Sequence, residues 1–294
     1  MKRLDKTEVI FKILSYTLLT VFALCCLYPF IYVLANSFSS KDAVDSGKVL
    51  LIPLIGDEVK GFKLGLDFQT YVKVFSDKGF WMAYSNSLFI TMYGTLVSML
   101  VAITGAYALS KKRLMFGRGF NFMLVFTMWF SAGMIPTLQN FLDFGVDNKY
   151  MFIVALGFSP FNIILLRNYF SGIPTEIEEA ATIDGATEFQ ILTKVYIPMS
   201  KSSIVTVAMF YAVSRWNGYL WGLLLLVPKD RPLTVYMKLN MAAVVREAAE
   251  QDVDFSVFAY QYTFIVCSII PIVIIYPKLQ KYFAAGVNVG GVKE

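Results

Sequence analysis

Six stretches of this chain stay apolar for long enough to cross a bilayer: 13–36, 83–110, 120–141, 150–171, 202–227 and 258–282. A helix rising about 1.5 Å per residue needs roughly 20 residues for that crossing. None of the six carries an acidic residue through its centre. The pattern predicts an all-α, polytopic membrane protein of about six transmembrane helices. Tyr84, Tyr150, Tyr169, Trp221 and Tyr282 stand near the ends of the runs, where interfacial aromatics anchor spans. Trp129 sits too deep for that role and reads as a packing residue.

Composition points the same way. Hydrophobic residues make up 57% of the 294 and charged residues only 16%, whereas soluble domains carry about a quarter charged residues. The surplus apolar surface needs lipid. The net charge of +5 is not gathered into a basic patch with stacking aromatics, because Phe and Tyr lie inside the apolar runs, and this argues against nucleic acid. The chain has no His, which removes the commonest metal ligand and general base. Cys25, Cys26 and Cys267 lie in apolar stretches without a CxxC pair, so neither zinc nor a disulfide framework is indicated. There is no G-x-x-x-x-G-K-[ST] loop to cradle a nucleotide. No catalytic, metal or cofactor site is therefore expected on this chain.

Basic residues set the expected orientation. Lys2, Arg3, Lys6 and Lys12 precede the first run; Lys111, Lys112, Arg113 and Arg118 fill the second-to-third connection; Lys278 and Lys281 close the last run. With six spans all three places fall on one side, so the positive-inside rule predicts cytoplasmic termini. The longer segments 37–82 and 228–257 are then external, and residues 42–77 hold no usable motif. Val33-Leu34-Ala35 after a basic and apolar start also resembles a cleavable signal, but the run is too long for one and contains Pro29, so a retained first helix is expected. No Asp or Glu lies at mid-span, which argues against an ion-coupled relay.

The chemistry concentrates in 171–203, between the fourth and fifth runs. Pro174 suits a first helical turn, with Glu176, Glu178 and Glu179 near its positive end. Gly185 permits a sharp turn, after which Phe189, Ile191, Leu192 and Val195 resume helical spacing until Ile197-Pro198 closes the segment. Periodicity predicts a helix–turn–helix, polar on one side, and leaves two uses open: docking in a cleft of a soluble partner, or lying on the membrane surface.

The residues themselves resemble the EAA loop of binding-protein-dependent ABC importer permeases: Glu-Ala-Ala, three residues, Gly, nine residues, then Ile-x-Leu-Pro. Here Glu179-Ala180-Ala181 is followed at the same spacing by Gly185 and by Val195-Tyr196-Ile197-Pro198, with Val for Ile and Ile for Leu. Asp184-Gly185-Ala186 also fits the family's wording. Arg215-Trp216-Asn217-Gly218-Tyr219-Leu220-Trp221 resembles the Trp-Asn element of the carbohydrate branch, and the tail from Lys278 to Gly290-Gly291-Val292-Lys293 is similar to the ends of oligosaccharide permeases. Length and layout are similar to the second, shorter maltose-type permease.

The resemblance implies a single importer transmembrane domain over 1–294, with a permease core at about 83–282 and a cytoplasmic coupling loop at 172–200. It implies a multi-pass protein of the bacterial cell membrane that moves a sugar or oligosaccharide. Its implied partners are a second homologous permease, two ATPase subunits that bind ATP and Mg, an external solute-binding protein, and the lipid bilayer. Within the loop, Glu178, Glu179, Ala180, Ala181, Asp184, Gly185, Ile197 and Pro198 are the implied coupling residues: Glu179 for the polar contact, Gly185 for the turn, Ala180 and Ala181 for close approach.

Smaller signals stay open. Arg215, Trp216 and Asn217 line a translocation path or serve helix packing. Met123, Met128 and Met134 read as flexible packing. Pro136 and Pro271 would kink their helices. A stand-alone ion-coupled transporter or channel is the alternative reading, and a membrane scaffold the third.

Overall fold

The computed structural model describes residues 6–57, 59–251 and 253–286. Lys2, Arg3 and the 290–293 tail lie outside them. Three of the apolar runs become uninterrupted helices long and apolar enough to cross a membrane: Thr7–Ser37 within α1 (Lys6–Ser37), α4 (Lys78–Ser110), and Val257–Pro277 within α15 (Val257–Gly286). Pro29 and Pro271 lie inside α1 and α15 without ending them.

Each of the other three runs is broken into two helices. The run 120–141 is α5 (Gly117–Trp129) and α6 (Met134–Asp143), bent by 116°. The break falls at 130–133, where Gly133 takes φ +88°, a left-handed conformation that glycine adopts without penalty. Pro136, expected to kink the helix, instead sits in the first turn of α6, where a missing N–H is harmless. The run 150–171 is α7 (Lys149–Ala155) and α8 (Pro160–Phe170), bent by 53°. Pro160 cannot continue an amide ladder, and the Ser159 hydroxyl accepts from the Asn162 amide to start α8 afresh. The run 202–227 is α12 (Lys201–Trp216) and the short α13 (Leu220–Leu225), parted at 217–219. Counting each bent pair as one span gives up to five crossings among the described residues.

The chain divides into two units, one of Met1–Lys78 and Met237–Ile270, the other of Gly79–Tyr236 and Pro271–Glu294. The first holds a small polar-apolar assembly that sequence periodicity missed. After α2 (Lys41–Asp45), strands β1 (Leu54–Asp57) and β2 (Gly61–Leu64) pair antiparallel in the register Leu54–Leu64 to Asp57–Gly61, and α3 (Gln69–Ser76) follows. Asp57 Oδ1 accepts from the Val59 and Lys60 amides, tying the hairpin turn. Ala35, Ala43, Val44, Val49 and Ala259 form its core. Thr70 and Thr263 hydroxyls bond at 2.8 Å, and Ser256 donates to Asp45 at 2.6 Å. The segment expected as a plain external loop, 228–257, contains the 18-residue helix α14 (Leu233–Glu250). In contrast, α1 leaves Ile10, Phe11, Leu14, Leu18 and Phe22 exposed, a surface that needs lipid or another chain.

The second unit holds the main core. Met99, Ala102, Ala106 and Tyr107 of α4 pack with Leu124 of α5, Ile163, Leu166 and Phe170 of α8, and Val207 and Tyr211 of α12. Trp129, read as a packing residue, is the last residue of α5 and is 80% exposed on this chain. Met123, Met128 and Met134 are likewise exposed and do not fill this core.

Candidate functional site

The helix–turn–helix read from the sequence is present in detail. Helix α9 (Thr175–Ile183) starts after Pro174 with Glu176 and Glu178 in its first turn, where carboxylates favour the helix dipole. It ends in a Schellman cap: the Ala186 amide donates to the Ala181 carbonyl and the Gly185 amide to the Thr182 carbonyl, both at 3.0 Å. Gly185 carries φ +78°, which that cap requires. The chain then restarts at once. Thr187 caps α10 (Glu188–Ile191) through a reciprocal box with Gln190: the Thr187 amide donates to Gln190 Oε1 at 2.8 Å, and the Gln190 amide donates to Thr187 Oγ1. The helix widens to a π turn over Leu192–Tyr196 and runs on as α11 (Ile197–Met199). Pro198 therefore does not stop it. The widened turn lies just ahead of the missing amide, and the segment ends two residues later at Ser200.

One face of this element is bolted to the spans. Ile191, Leu192 and Tyr196 are buried in the main core, with Ala181, Ala186, Val195 and Ile197 packed against it. Glu178 turns inward as well. Its Oε2 is 2.7 Å from Lys111 Nζ and accepts from the Tyr196 hydroxyl at 2.6 Å, while Arg113 lies 3.7 Å from Oε1. Arg113 also pairs with Glu188, which accepts from the Tyr107 hydroxyl at 2.6 Å. Lys111 lies over the rings of Tyr107 and Tyr196, which meet edge-on at 4.9 Å. Burial pushes the Glu178 carboxyl up, but the Lys111 and Tyr196 hydrogen bonds and the charges of Lys111 and Arg113 outweigh it and hold the carboxyl below its ordinary range. Burial pulls the Lys111 ammonium down despite the same partner.

The opposite face is bare. Glu179, Ala180, Asp184, Gly185 and Pro198 are exposed, and so are the large apolar side chains of Ile183 (85%) and Phe189 (73%) on either side of the turn. Apolar side chains flanking an acidic turn, on a helix pair held rigid from behind, form a knob suited to a protein groove. Beside α9 a cavity of about 1210 Å³ is lined by Lys112, Arg113, Arg118, Arg167 and Glu179 among others.

The eight loop residues are thus brought together but divided between two faces, with Glu178, Ala181 and Ile197 turned inward. Sequence reasoning missed Lys111, Arg113, Tyr107, Glu188 and Ile183. Opposite charge on 111–113 and 178–188, both expected on one side of the membrane, was the available signal for the ion pairs. Arg215, Trp216 and Asn217 do not share a surface. The Arg215 guanidinium is buried, donating through Nη2 to Ser98 Oγ at 3.0 Å and to the Ile153 and Leu156 carbonyls at 3.2 and 2.6 Å. Trp216 is buried edge-on to Tyr84, and Asn217 is exposed where α12 ends.

Comparison with known proteins adds a second line of evidence. The profile of the family described as binding-protein-dependent transport system inner membrane component matches residues 1–289. The chain is 35% identical over 298 residues to the polygalacturonan/rhamnogalacturonan transport system permease protein YtcP of Bacillus subtilis (strain 168), covering 97% of this chain and 98% of that one. It is 33% identical over 275 residues to protein LplC of the same organism, covering 90% and 88%. Among solved structures it is similar to a chain of a bacterial ABC transporter involved in the import of the acidic polysaccharide alginate. That match has a TM-score of 0.86 and 42% identity, and covers 96% of this chain and 100% of the other.

Proposed function

This chain belongs to the family of binding-protein-dependent transport system inner membrane components, and from that premise we propose how it works. It is a membrane-embedded, non-catalytic permease subunit of an ABC importer, and nucleotide is bound by partner ATPases. Our reading is that the knob formed by α9, the Gly185 turn and α10 seats in a groove of an ATPase subunit. Glu179 meets a polar group there, and Ile183 and Phe189 fill the groove. A second permease presents the matching knob to a second ATPase. Closure of the ATPases on ATP draws the two knobs together and opens the spans outward, toward a solute-binding protein on the external side. Both termini lie in the cytoplasm in this arrangement, with the basic 111–118 connection beside them.

The observation that carries this reading is the two-faced loop: apolar and ion-paired anchoring to the spans behind, uncovered apolar and acidic groups in front. A rigid lever needs both. For the solute, we propose an acidic saccharide chain, supported by the relatives named for polygalacturonan/rhamnogalacturonan transport and for alginate import.

The test is ATP-dependent uptake and ATPase pull-down with the reconstituted complex, comparing wild type with Glu179→Lys, Ile183→Asp and Gly185→Asp. The expected result is loss of ATPase association or of coupled uptake while the permeases still insert and pair. Uptake that persists in all three variants would refute the lever.

A further inference from the structure

The spans of the second unit bury several polar side chains that this chain leaves unpaired. Among the described residues, five buried side-chain atoms lack a well-aligned hydrogen-bond partner: Thr91 Oγ1, Thr95 Oγ1, Asn162 Oδ1, Tyr211 Oη and Arg215 Nη1. Each such atom costs about 1–3 kcal/mol when sealed from water and partners, and native structures keep few of them. They are not scattered. Asn162, Tyr211 and Arg215 line one cavity of about 370 Å³, together with Ser159, Ser214 and Trp221. That volume lies within the ~300–1,000 Å³ of small-molecule sites. Thr91 and Thr95 share a face of α4 with Gly94 and Ser98, the residues that receive the Arg215 side chain.

Asn162, Tyr211 and Arg215 are only 7%, 4% and 8% exposed. The guanidinium uses one nitrogen for structure, since Nη2 caps the carbonyls of Ile153 and Leu156, the first inside α7 and the second where it ends. The other terminal nitrogen, Nη1, has no protein acceptor, and among the described residues no carboxylate pairs with Arg215. A buried cation in a span is a functional-site candidate by default, and Nη1 leaves this one with a donor to spare. The set therefore offers a fixed positive donor, an amide oxygen that accepts and a phenol that does either. Those are the complements of a carboxylate and of sugar hydroxyls.

We propose that this cavity is a passage subsite for one residue of an acidic saccharide, with Arg215 Nη1 taking the carboxylate, and Asn162 and Tyr211 taking ring hydroxyls. This rests on the acidic-saccharide reading above and deepens it by naming the group that discriminates. Trp221 supplies an apolar wall on which a sugar ring can lie. Tyr211 also belongs to the core that holds Ile191 and Leu192 of the coupling element, so the subsite abuts the packing that anchors the knob.

The experiment uses the complete complex in proteoliposomes with saturating binding protein. It measures uptake of trigalacturonate and of its carboxyl-reduced, neutral counterpart, with ATPase stimulation recorded in parallel. Arg215→Gln should lower trigalacturonate uptake about tenfold or more, the scale of a lost charge-assisted hydrogen bond, and leave the ATPase stimulated. The ratio of acidic to neutral uptake should fall with it. Because Arg215 also caps α7, Tyr211→Phe and Asn162→Ala keep the question open if Arg215→Gln fails to assemble. Neither residue caps α7, and each should raise the apparent KM for both sugars severalfold. An unchanged acidic-to-neutral ratio in Arg215→Gln, or unchanged KM in both other variants, overturns the subsite. A wild-type complex that imports neither sugar overturns the acidic-saccharide reading itself, a result visible before any variant is made.

Discussion

Replacing Lys111 with Met should loosen the coupling element from the spans without unfolding them. Lys111 and Glu178 are 2.7 Å apart, with side chains only 8% and 16% exposed. Deleting one member of a buried pair costs about 3–5 kcal/mol, chiefly because the other charge is left unpaired. Here Glu178 keeps the Tyr196 hydroxyl at 2.6 Å and Arg113 at 3.7 Å, which reduces the loss to about 2 kcal/mol. Since each 1.4 kcal/mol is a factor of ten, amides of α9 should exchange with deuterium about 30-fold faster at neutral pH. Amides in the middle of α4 and α12 should not change. Lys111→Met combined with Glu178→Leu should recover much of the loss, because two packed apolar groups leave no stranded charge. The pH dependence has a definite sign. Glu178 is depressed in the folded protein, so its contribution is complete above the ordinary Glu value near ~4.3 and is lost as pH falls through the depressed one. In Lys111→Met two of the influences holding it down are gone and burial remains, so acid sensitivity of α9 exchange should shrink. Unchanged exchange in the single variant, or a double variant worse than the sum of its parts, would refute the ion-pair reasoning.

Thr187→Ala should cost about 1 kcal/mol by removing the capping box, seen as faster exchange over Glu188–Ile191 with the spans unaffected. Gly94→Ala should lower the thermal midpoint of the solubilised complex, because the new Cβ would lie 3.2 Å from Arg215 Nε and push the guanidinium off Ser98. Gly105→Ala is the matched control: its Cβ meets nothing nearer than Ile163 at 3.7 Å, so its midpoint should hold. Equal losses in the two glycine variants would remove Arg215 from the explanation.

The elements that sequence determined by itself are those governed by local rules. Long apolar runs identified α1, α4 and α15 because a backbone in lipid must satisfy its own hydrogen bonds, and only a helix does so within one segment. The 171–203 segment was equally legible. Its turn needs a glycine at positive φ, which Gly185 supplies; the cap that restarts the chain, Thr187, stands two residues on and was not singled out. What stayed hidden is either finer than a hydropathy window or depends on residues distant in sequence. Hydropathy averages over a window, so it could not see that runs break at Gly133, ahead of Pro160 and at 217–219. The hairpin of β1 and β2 escaped because two four-residue strands carry too little periodicity to stand out. Glu178 and Glu179 are adjacent and chemically alike, yet packing turns one onto Lys111 and leaves the other exposed. Arg215 shows the same limit. Sequence marked it as a charge in a span, and only the fold gave it Ser98 from 117 positions away and two carbonyls of a broken helix. Local backbone preferences can be read along a chain, but which side of a helix is covered is settled by what else the chain folds against it.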